Sequence, residues 1–264
     1  MAFFKPKGVF FIIKHLFNDE KYKSLINWLN SLGKIVNFNT EHGSVFVGDE
    51  LITFGKNLDF LKEDRFVEIA NKVFIDEDDD EKNIATNQAL IWRRHTLVWA
   101  GEHCKGLAGD FCDFGCYDGI ASKFINEYCE LENNNVNFYL FDVFDNPPIS
   151  EKFPKHSPQL YGNVRNNFKN SNNVKIIKGL LPQALINNCP EKISFAHIDL
   201  NNVEAEMGVL EIIFDKIVSG GIIIFDDYGW IGYQDQQVKE KEFIEKNGLR
   251  ILELPTGQGL VIKK

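Results

Sequence analysis

The chain is short of cations, of paired cysteines and of long apolar runs, and each shortage removes a class of function. Lys and Arg number 29 against 38 Asp and Glu, a net charge of −9 with a pI near 5.2. A dedicated nucleic-acid binder draws its affinity from clustered cations over phosphate, so no nucleic-acid partner is expected. The five cysteines, at 104, 112, 116, 129 and 189, include no CxxC pair. Cys112 and Cys116 lack the second pair or His-x-x-x-His that would finish a zinc site. Reduced structural thiols, and with them a cytoplasmic setting, are expected. The early apolar run from Val9 to Ile13 stops at Lys14. That is too short for a signal h-region or a membrane span, no later segment comes near a span, and no membrane partner is expected. What is present is 264 residues, 44% hydrophobic and 25% charged. That composition is ordinary for a globular chain, and the length suits one α/β domain with an added segment.

The sharpest change along the chain is the acidic run from Asp76 to Glu81. Adjacent like charges repel and resist packing, so the run reads as a solvated linker or the acidic lead into a helix. It divides the chain into residues 1–80 and 81–264. The first part reads as mixed α/β. Val9–Ile13 is a candidate strand, Asn18 a candidate helix cap, Ser44–Phe54 a hairpin, and Leu58, Leu61, Phe66, Ile69 and Val73 mark one amphipathic helix. From Ala85 strands and helices alternate. A helix to about Lys105 leads into strands at Phe111–Phe114, Val136–Phe141, Val174–Ile177, Ile193–Ile198 and Gly221–Phe225. Helices are expected at Ile120–Leu131, His156–Phe168, Val203–Val218 and Gln234–Lys246, before a hairpin from Leu249 to Ile262 around PTGQG. Alternation with apolar strands means a parallel, doubly wound sheet, to which the last hairpin adds an antiparallel strand.

Three strand ends carry chemistry. AGDFCDFGCYDG, Ala108 to Gly119, reads as strand, sharp turn and helix, with Gly115 and Gly119 where open α/β sheets bind ligands. A dinucleotide turn would be G-x-G-x-x-G. Here the spacing is Asp113-x-Gly115-x-x-x-Gly119, and an acid two residues before the first glycine suits a ligand with a positive amino-acid end. The next strand, FYLFDVFD, ends at Asp142, 27 residues after Gly115, where a carboxylate can accept two ribose hydroxyls; Asp145 is a nearby alternative. SFAHIDLNN and GGIIIFDDYG end in Asp199 and in Asp226 and Asp227. Carboxylates brought together at neighbouring strand tips repel unless a cation lies between them, and hard oxygen ligands suit Mg²⁺ or a similar divalent ion. His197 shares a strand face with Asp199 by the period of two, as a hydrogen-bonded core residue or a base.

In order and spacing, DFGCYDG, LFDVFD, KGLLPQAL, HIDLNNVEAE and GGIIIFDDYG resemble class I S-adenosylmethionine-dependent methyltransferases. More narrowly, the chain resembles the macrocin/mycinamicin O-methyltransferase group, which methylates sugar hydroxyls with a divalent metal; the likeness covers roughly residues 85–264. It implies a Rossmann-like doubly wound, mostly parallel seven-stranded sheet with a C-terminal antiparallel hairpin, beside the small mixed N-terminal segment. It implies that Asp113, Gly115, Tyr117 and Gly119 line the methionine end of S-adenosylmethionine, that Asp142 holds the ribose, and that Gly179 and Leu180 lie near the adenine. It further implies that Asp199, Asp226 and Asp227 hold the metal, with Asp199 placed to help deprotonate the acceptor hydroxyl; His197, by its strand face, is the second catalytic candidate. The chain departs from the family pattern at Asn201, where a second acid is usual, at Val203 in place of a tyrosine, and at Asp118 in place of a basic residue.

The expected function is transfer of a methyl group from S-adenosylmethionine to a hydroxyl of a small molecule such as a sugar, with residues 1–80 serving acceptor selectivity or homo-oligomer formation. His156, Tyr228, Trp230 and Gln258 are candidate walls of the acceptor pocket. Two other readings compete. A nucleotide-linked Rossmann oxidoreductase lacks its third glycine here, and a catalytically silent methyltransferase-like binding protein would fit Asn201.

Overall fold

The computed structural model describes residues 45–48, 51–54, 56–74, 90–144 and 156–264. The Val9–Ile13 strand, the helix capped by Asn18, the acidic run and the division near residue 80 lie outside the described residues. The chain divides into two compact units, Met1–His95 and Thr96–Lys264.

In the first unit, strands β1 (Val45–Gly48) and β2 (Leu51–Phe54) form the expected hairpin, paired antiparallel from Val45 opposite Phe54 to Gly48 opposite Leu51. The single amphipathic helix expected from Leu58 to Val73 is in fact two pieces. A 3₁₀ turn at Asp59–Leu61 is followed by helix α1 (Asp64–Phe74), which buries Phe66, Ala70, Val73 and Phe74 on one face. The break falls at Lys62 and Glu63, and Asp64 restarts the helix with a carboxylate in its first turn, where the helix dipole favours it.

Helix α2 (Ile91–Cys104) precedes an alternating series in the second unit. The series runs β3 (Asp110–Phe114), α3 (Ile120–Tyr128), β4 (Phe138–Asp142), α4 (Pro158–Asn167), β5 (Val174–Lys178) and β6 (Ile193–Ile198). It continues with α5 (Val203–Ile213), β7 (Ile217–Phe225), α6 (Gln234–Lys246), β8 (Leu252–Glu253) and β9 (Gly259–Ile262). The seven strands stand in the order β5-β4-β3-β6-β7-β9-β8. β3 through β7 pair in parallel, and β9 and β8 join antiparallel, as the sequence pattern predicts. α5 is shorter than expected. Its helix ends at Ile213, a 3₁₀ turn covers Phe214–Lys216, and Ile217 and Val218 already belong to β7.

The sheet is held by burial on both faces. All six residues of β6 are buried, and Ile222, Ile223 and Ile224 of β7 are fully so. Phe111 meets Phe138 edge-on at 5.9 Å and Phe195 at 5.0 Å, while Phe114 stacks on Phe141 at 5.2 Å. Each such ring contributes roughly 1.5–3 kcal/mol by leaving water. This core fixes the tips of β3, β4, β6 and β7. The chain steps from β3 to one side through β4 and β5, then returns to β6 on the other side. That reversal places a crevice beyond the carboxyl ends of β3 and β6, where open α/β sheets bind ligands. No helix among the described residues is long and apolar enough to cross a membrane.

Candidate active site

The turn after β3 is built around Gly115. Its φ is +95°, and a Cβ there would lie 1.9 Å from the carbonyl oxygen of Asp199, so only glycine lets the ends of β3 and β6 approach this closely. Asp199 N donates to Phe114 O at 2.8 Å, and the amides of Gly115 and Cys116 both donate to Phe141 O. Tyr117 follows with φ +49° and Gly119 with φ +73°, after which α3 begins. Bare left-handed backbone therefore lies directly over the strand tips.

Asp142, at the end of β4, ties this turn down. Its Oδ2 accepts from Tyr117 N at 2.8 Å and its Oδ1 from Phe144 N at 2.7 Å. His156 Nε2 stands 3.3 Å from Oδ1, with its ring edge-on to Tyr117 at 5.5 Å. Gly179 N donates to Asp142 O at 3.0 Å, and Leu180, next in sequence, is 53% exposed. Gly115, Tyr117, Gly119, Asp142 and Gly179 thus form one connected group. An ionised carboxylate offers about four acceptor positions, so Asp142 keeps capacity for a ligand hydroxyl beside its two amide bonds.

A second group lies within the sheet. Asp113 and His197 face each other across the β3–β6 register. His197 Nδ1 and Asp113 Oδ1 are 2.9 Å apart, and Ser122 Oγ donates to Asp113 Oδ2. Asp113 is fully buried. Both its oxygens serve the interior, which differs from the expected position facing the amino-acid end of a ligand. Across β6, His197 Nε2 stands 3.3 Å from Asp226 Oδ1, off the direction of a hydrogen bond. Burial alone would make His197 a weaker base, but the carboxylates of Asp113 and Asp226 outweigh it and push its pKa up to about 10.

His197, Asp199 and Asp226 each offer one ligand atom, all within 4.8 Å of one another. Asp227 does not join them. Asp227, next along the turn after β7, is half-buried, and its charge acts on Tyr233 together with that of Asp199. Asp199 Oδ1 accepts from Asn201 Nδ2 at 3.0 Å.

Sequence patterns gave no sign of two further features. Glu206 Oε1 accepts the amides of both Leu200 and Asn201 at 3.1 Å, holding the loop that follows Asp199. Glu206 is itself buried against Glu240 of α6, and both carboxyls are held above the usual range, chiefly by burial. The pairing spans two helices, so no local spacing could reveal it. Gln258, expected to wall an acceptor pocket, is instead fully buried. It donates to Asp226 Oδ1 at 2.9 Å and accepts from Thr256 Oγ1 at 3.0 Å. Tyr228 is buried as well, and Trp230 Nε1 donates to Thr256 O at 3.2 Å.

The first unit has an open concavity of about 520 Å³ lined by Phe60, Trp92 and His95 with Asn57, Leu58, Asp59 and Glu63. His95 stacks on Phe60 at 4.1 Å, and burial lowers its pKa.

Comparison with known proteins agrees with this construction. No curated protein matches the chain in sequence. Among solved structures, it is similar to the O-methyltransferase NovP, with a TM-score of 0.56 and 18% identity over 67% of this chain and 81% of that one. It is also similar to the calicheamicin methyltransferase CalS11, with a TM-score of 0.51 and 15% identity over 76% and 93% of the two chains. A third likeness is to the S-adenosylhomocysteine-bound methyltransferase PaMTH1 of Podospora anserina, with a TM-score of 0.52 and 14% identity over 94% and 97%. At these identities the likenesses establish the fold. Residues 100–251 match the family described as macrocin-O-methyltransferase (TylF), which displaces the oxidoreductase reading. The chain belongs to the macrocin O-methyltransferase family and is an S-adenosylmethionine-dependent O-methyltransferase.

Proposed function

We propose that the chain methylates a hydroxyl of a sugar or glycosylated small molecule, with a divalent cation assisting. The observation that carries the proposal is the convergence of Asp199 and Asp226 on His197 beyond the parallel strands. Carboxylates this close, beside a buried ring nitrogen with no hydrogen-bond partner, fit a cation. The turn from Gly115 to Gly119 and the Asp142 carboxylate fit S-adenosylmethionine, because they offer bare backbone and a ribose acceptor side by side. Bound there, S-adenosylmethionine supplies an activated methyl on a sulfonium. A divalent ion, Mg²⁺ or similar, supplies a lower pKa for the acceptor hydroxyl.

The chain's own residues then align and deprotonate. Asp142 orients the cofactor through its ribose, with Gly179 and Leu180 toward the adenine. Asp199 takes the acceptor's proton, its carboxylate aimed by Asn201 and its loop fixed by Glu206. Alignment of two bound reactants is worth about 7–11 kcal/mol of barrier. A positioned base adds roughly 10²–10⁴-fold. Asp113 supports the site from beneath through His197. Residues 1–80 carry acceptor selectivity in this proposal. The sugar assignment also draws on the family's name and on CalS11, a TDP-rhamnose 3′-O-methyltransferase.

The test is a panel of sugars, sugar nucleotides and phenols incubated with methyl-labelled S-adenosylmethionine. Label on a sugar hydroxyl is the expected result; label on phenols alone would overturn the sugar assignment. Turnover should cease in excess EDTA and return with added divalent ion. Unchanged turnover in EDTA would mean a metal-free base mechanism.

A further inference from the structure

Beside Asp199 and Asp226 stands a buried polar atom with no hydrogen-bond partner, Nε2 of His197. We infer that His197 is itself a metal ligand, completing a site with Asp199 and Asp226, and that the site prefers a borderline transition ion such as Mn²⁺, Fe²⁺, Co²⁺ or Zn²⁺ over Mg²⁺. The inference rests on the divalent-ion reading above and changes both its ligand set and its metal.

The geometry supports this in four ways. First, His197 is only 3% exposed, so Nε2 has no access to bulk water in exchange for a partner. Second, Nδ1 is already committed to Asp113 Oδ1 at 2.9 Å. Metal-bound histidines almost always place their other ring nitrogen on a carboxylate or carbonyl in this way, which fixes the tautomer and raises ligand basicity. Third, Nε2 and Asp226 Oδ1 are 3.3 Å apart. Two donors each about 2.1 Å from one ion and at right angles lie about 3.0 Å apart, so the pair needs little movement to share an ion. Fourth, both carboxylates are held in place by a side-chain amide, Asp199 by Asn201 at 3.0 Å and Asp226 by Gln258 at 2.9 Å.

The metal preference follows from the ligand set. Mg²⁺ favours all-oxygen surroundings and keeps several waters, whereas imidazole suits Zn, Cu, Fe and Ni, and affinity for N/O sites rises from Mn²⁺ through Fe²⁺ and Co²⁺. With the ring proton held on Nδ1 by Asp113, the Nε2 lone pair would be the donor to the cation.

The test is titration of the metal-free full-length chain with Mn²⁺, followed by pulsed electron paramagnetic resonance. The expected result is one Mn²⁺ per chain with ¹⁴N modulation from a directly bound imidazole. His197→Gln should abolish the modulation and weaken Mn²⁺ binding, while His156→Gln should keep both. Co²⁺ or Zn²⁺ should displace the Mn²⁺ at concentrations where Mg²⁺ does not. Mn²⁺ bound with no ¹⁴N modulation would overturn the imidazole ligand and leave an oxygen-only divalent site standing. No Mn²⁺ bound at all would overturn the divalent reading and this inference with it. If His197→Gln fails to fold by circular dichroism, Asp113→Asn serves instead. It should lower Mn²⁺ affinity about 10–100-fold with the modulation retained, and unchanged affinity would overturn the role given to Asp113.

Discussion

Replacing Gly115 with alanine tests whether the tips of β3 and β6 are packed backbone to backbone. The substitution does two things at once. It places an L side chain at φ +95°, and left-handed backbone costs such a residue about 1–2 kcal/mol. It also puts a Cβ 1.9 Å from Asp199 O and 2.7 Å from Asp199 C, where contacts under 3.0 Å require movement. The obstacle is main chain, pinned by the Asp199 N to Phe114 O bond, so it cannot swing aside as a side chain would. Overpacking of this kind costs a further 1–3 kcal/mol or so. The combined loss is about 2–5 kcal/mol, and S-adenosylhomocysteine affinity should fall with it, because the same turn lies over the proposed cofactor position. The matched control is Gly162→Ala in α4, where a Cβ meets nothing within 4 Å. That change should be neutral or stabilise by up to about 1 kcal/mol. Urea unfolding and titration calorimetry with S-adenosylhomocysteine on both variants decide the matter. Wild-type stability and affinity in Gly115→Ala would refute the close approach of the two strand ends.

Three further outcomes are expected. Glu206 and Glu240 have pKa values raised above the ordinary 4.5 chiefly by burial, with Glu240 adding to the rise at Glu206 and the Asp227 charge to that at Glu240, so the folded chain binds protons that the unfolded chain releases. Their contribution to stability is full below about pH 4.5 and is lost as pH rises through the raised values, and Glu240→Gln should flatten that decline in urea melts across pH. Gln258→Leu leaves the buried Asp226 carboxylate and Thr256 hydroxyl each short of a bond. It should cost about 1–3 kcal/mol, and a double-mutant cycle with Thr256→Val should show coupling. Asp142→Ala removes the charged acceptor from Tyr117 N and Phe144 N and from the proposed ribose position. Hydrogen bonds to a charged group are worth about 1.5–3 kcal/mol, so calorimetry should show S-adenosylhomocysteine affinity reduced about 10–150-fold.

Much of the sheet was readable because its strands are short, apolar and bounded by Gly, Asn or Asp, while α3 carries a 3.6-residue apolar stripe. The failures have physical causes. Val203–Val218 reads as one helix because Ile217 and Val218 continue its apolar run, and periodicity cannot separate a buried helix end from the start of a buried strand. α6 reads as a polar helix, and Gln236, Glu240 and Ile244, at spacings of four, form its buried stripe. In the site, strand-end position alone pointed to Asp142, Asp199 and Asp226. The orphan nitrogen of His197 and the burial of Gln258 depend on contacts across strands or helices, which no single segment encodes.

The most direct measurement compares wild type with Asp199→Asn for transfer of labelled methyl from S-adenosylmethionine to the acceptor found in the panel, with S-adenosylhomocysteine affinity taken in parallel. If the Asp199 carboxylate takes the acceptor's proton and does not itself hold the cofactor, transfer falls about 10²–10⁴-fold while S-adenosylhomocysteine affinity is unchanged. Equal transfer by both proteins, or binding of S-adenosylhomocysteine by neither, would contradict it.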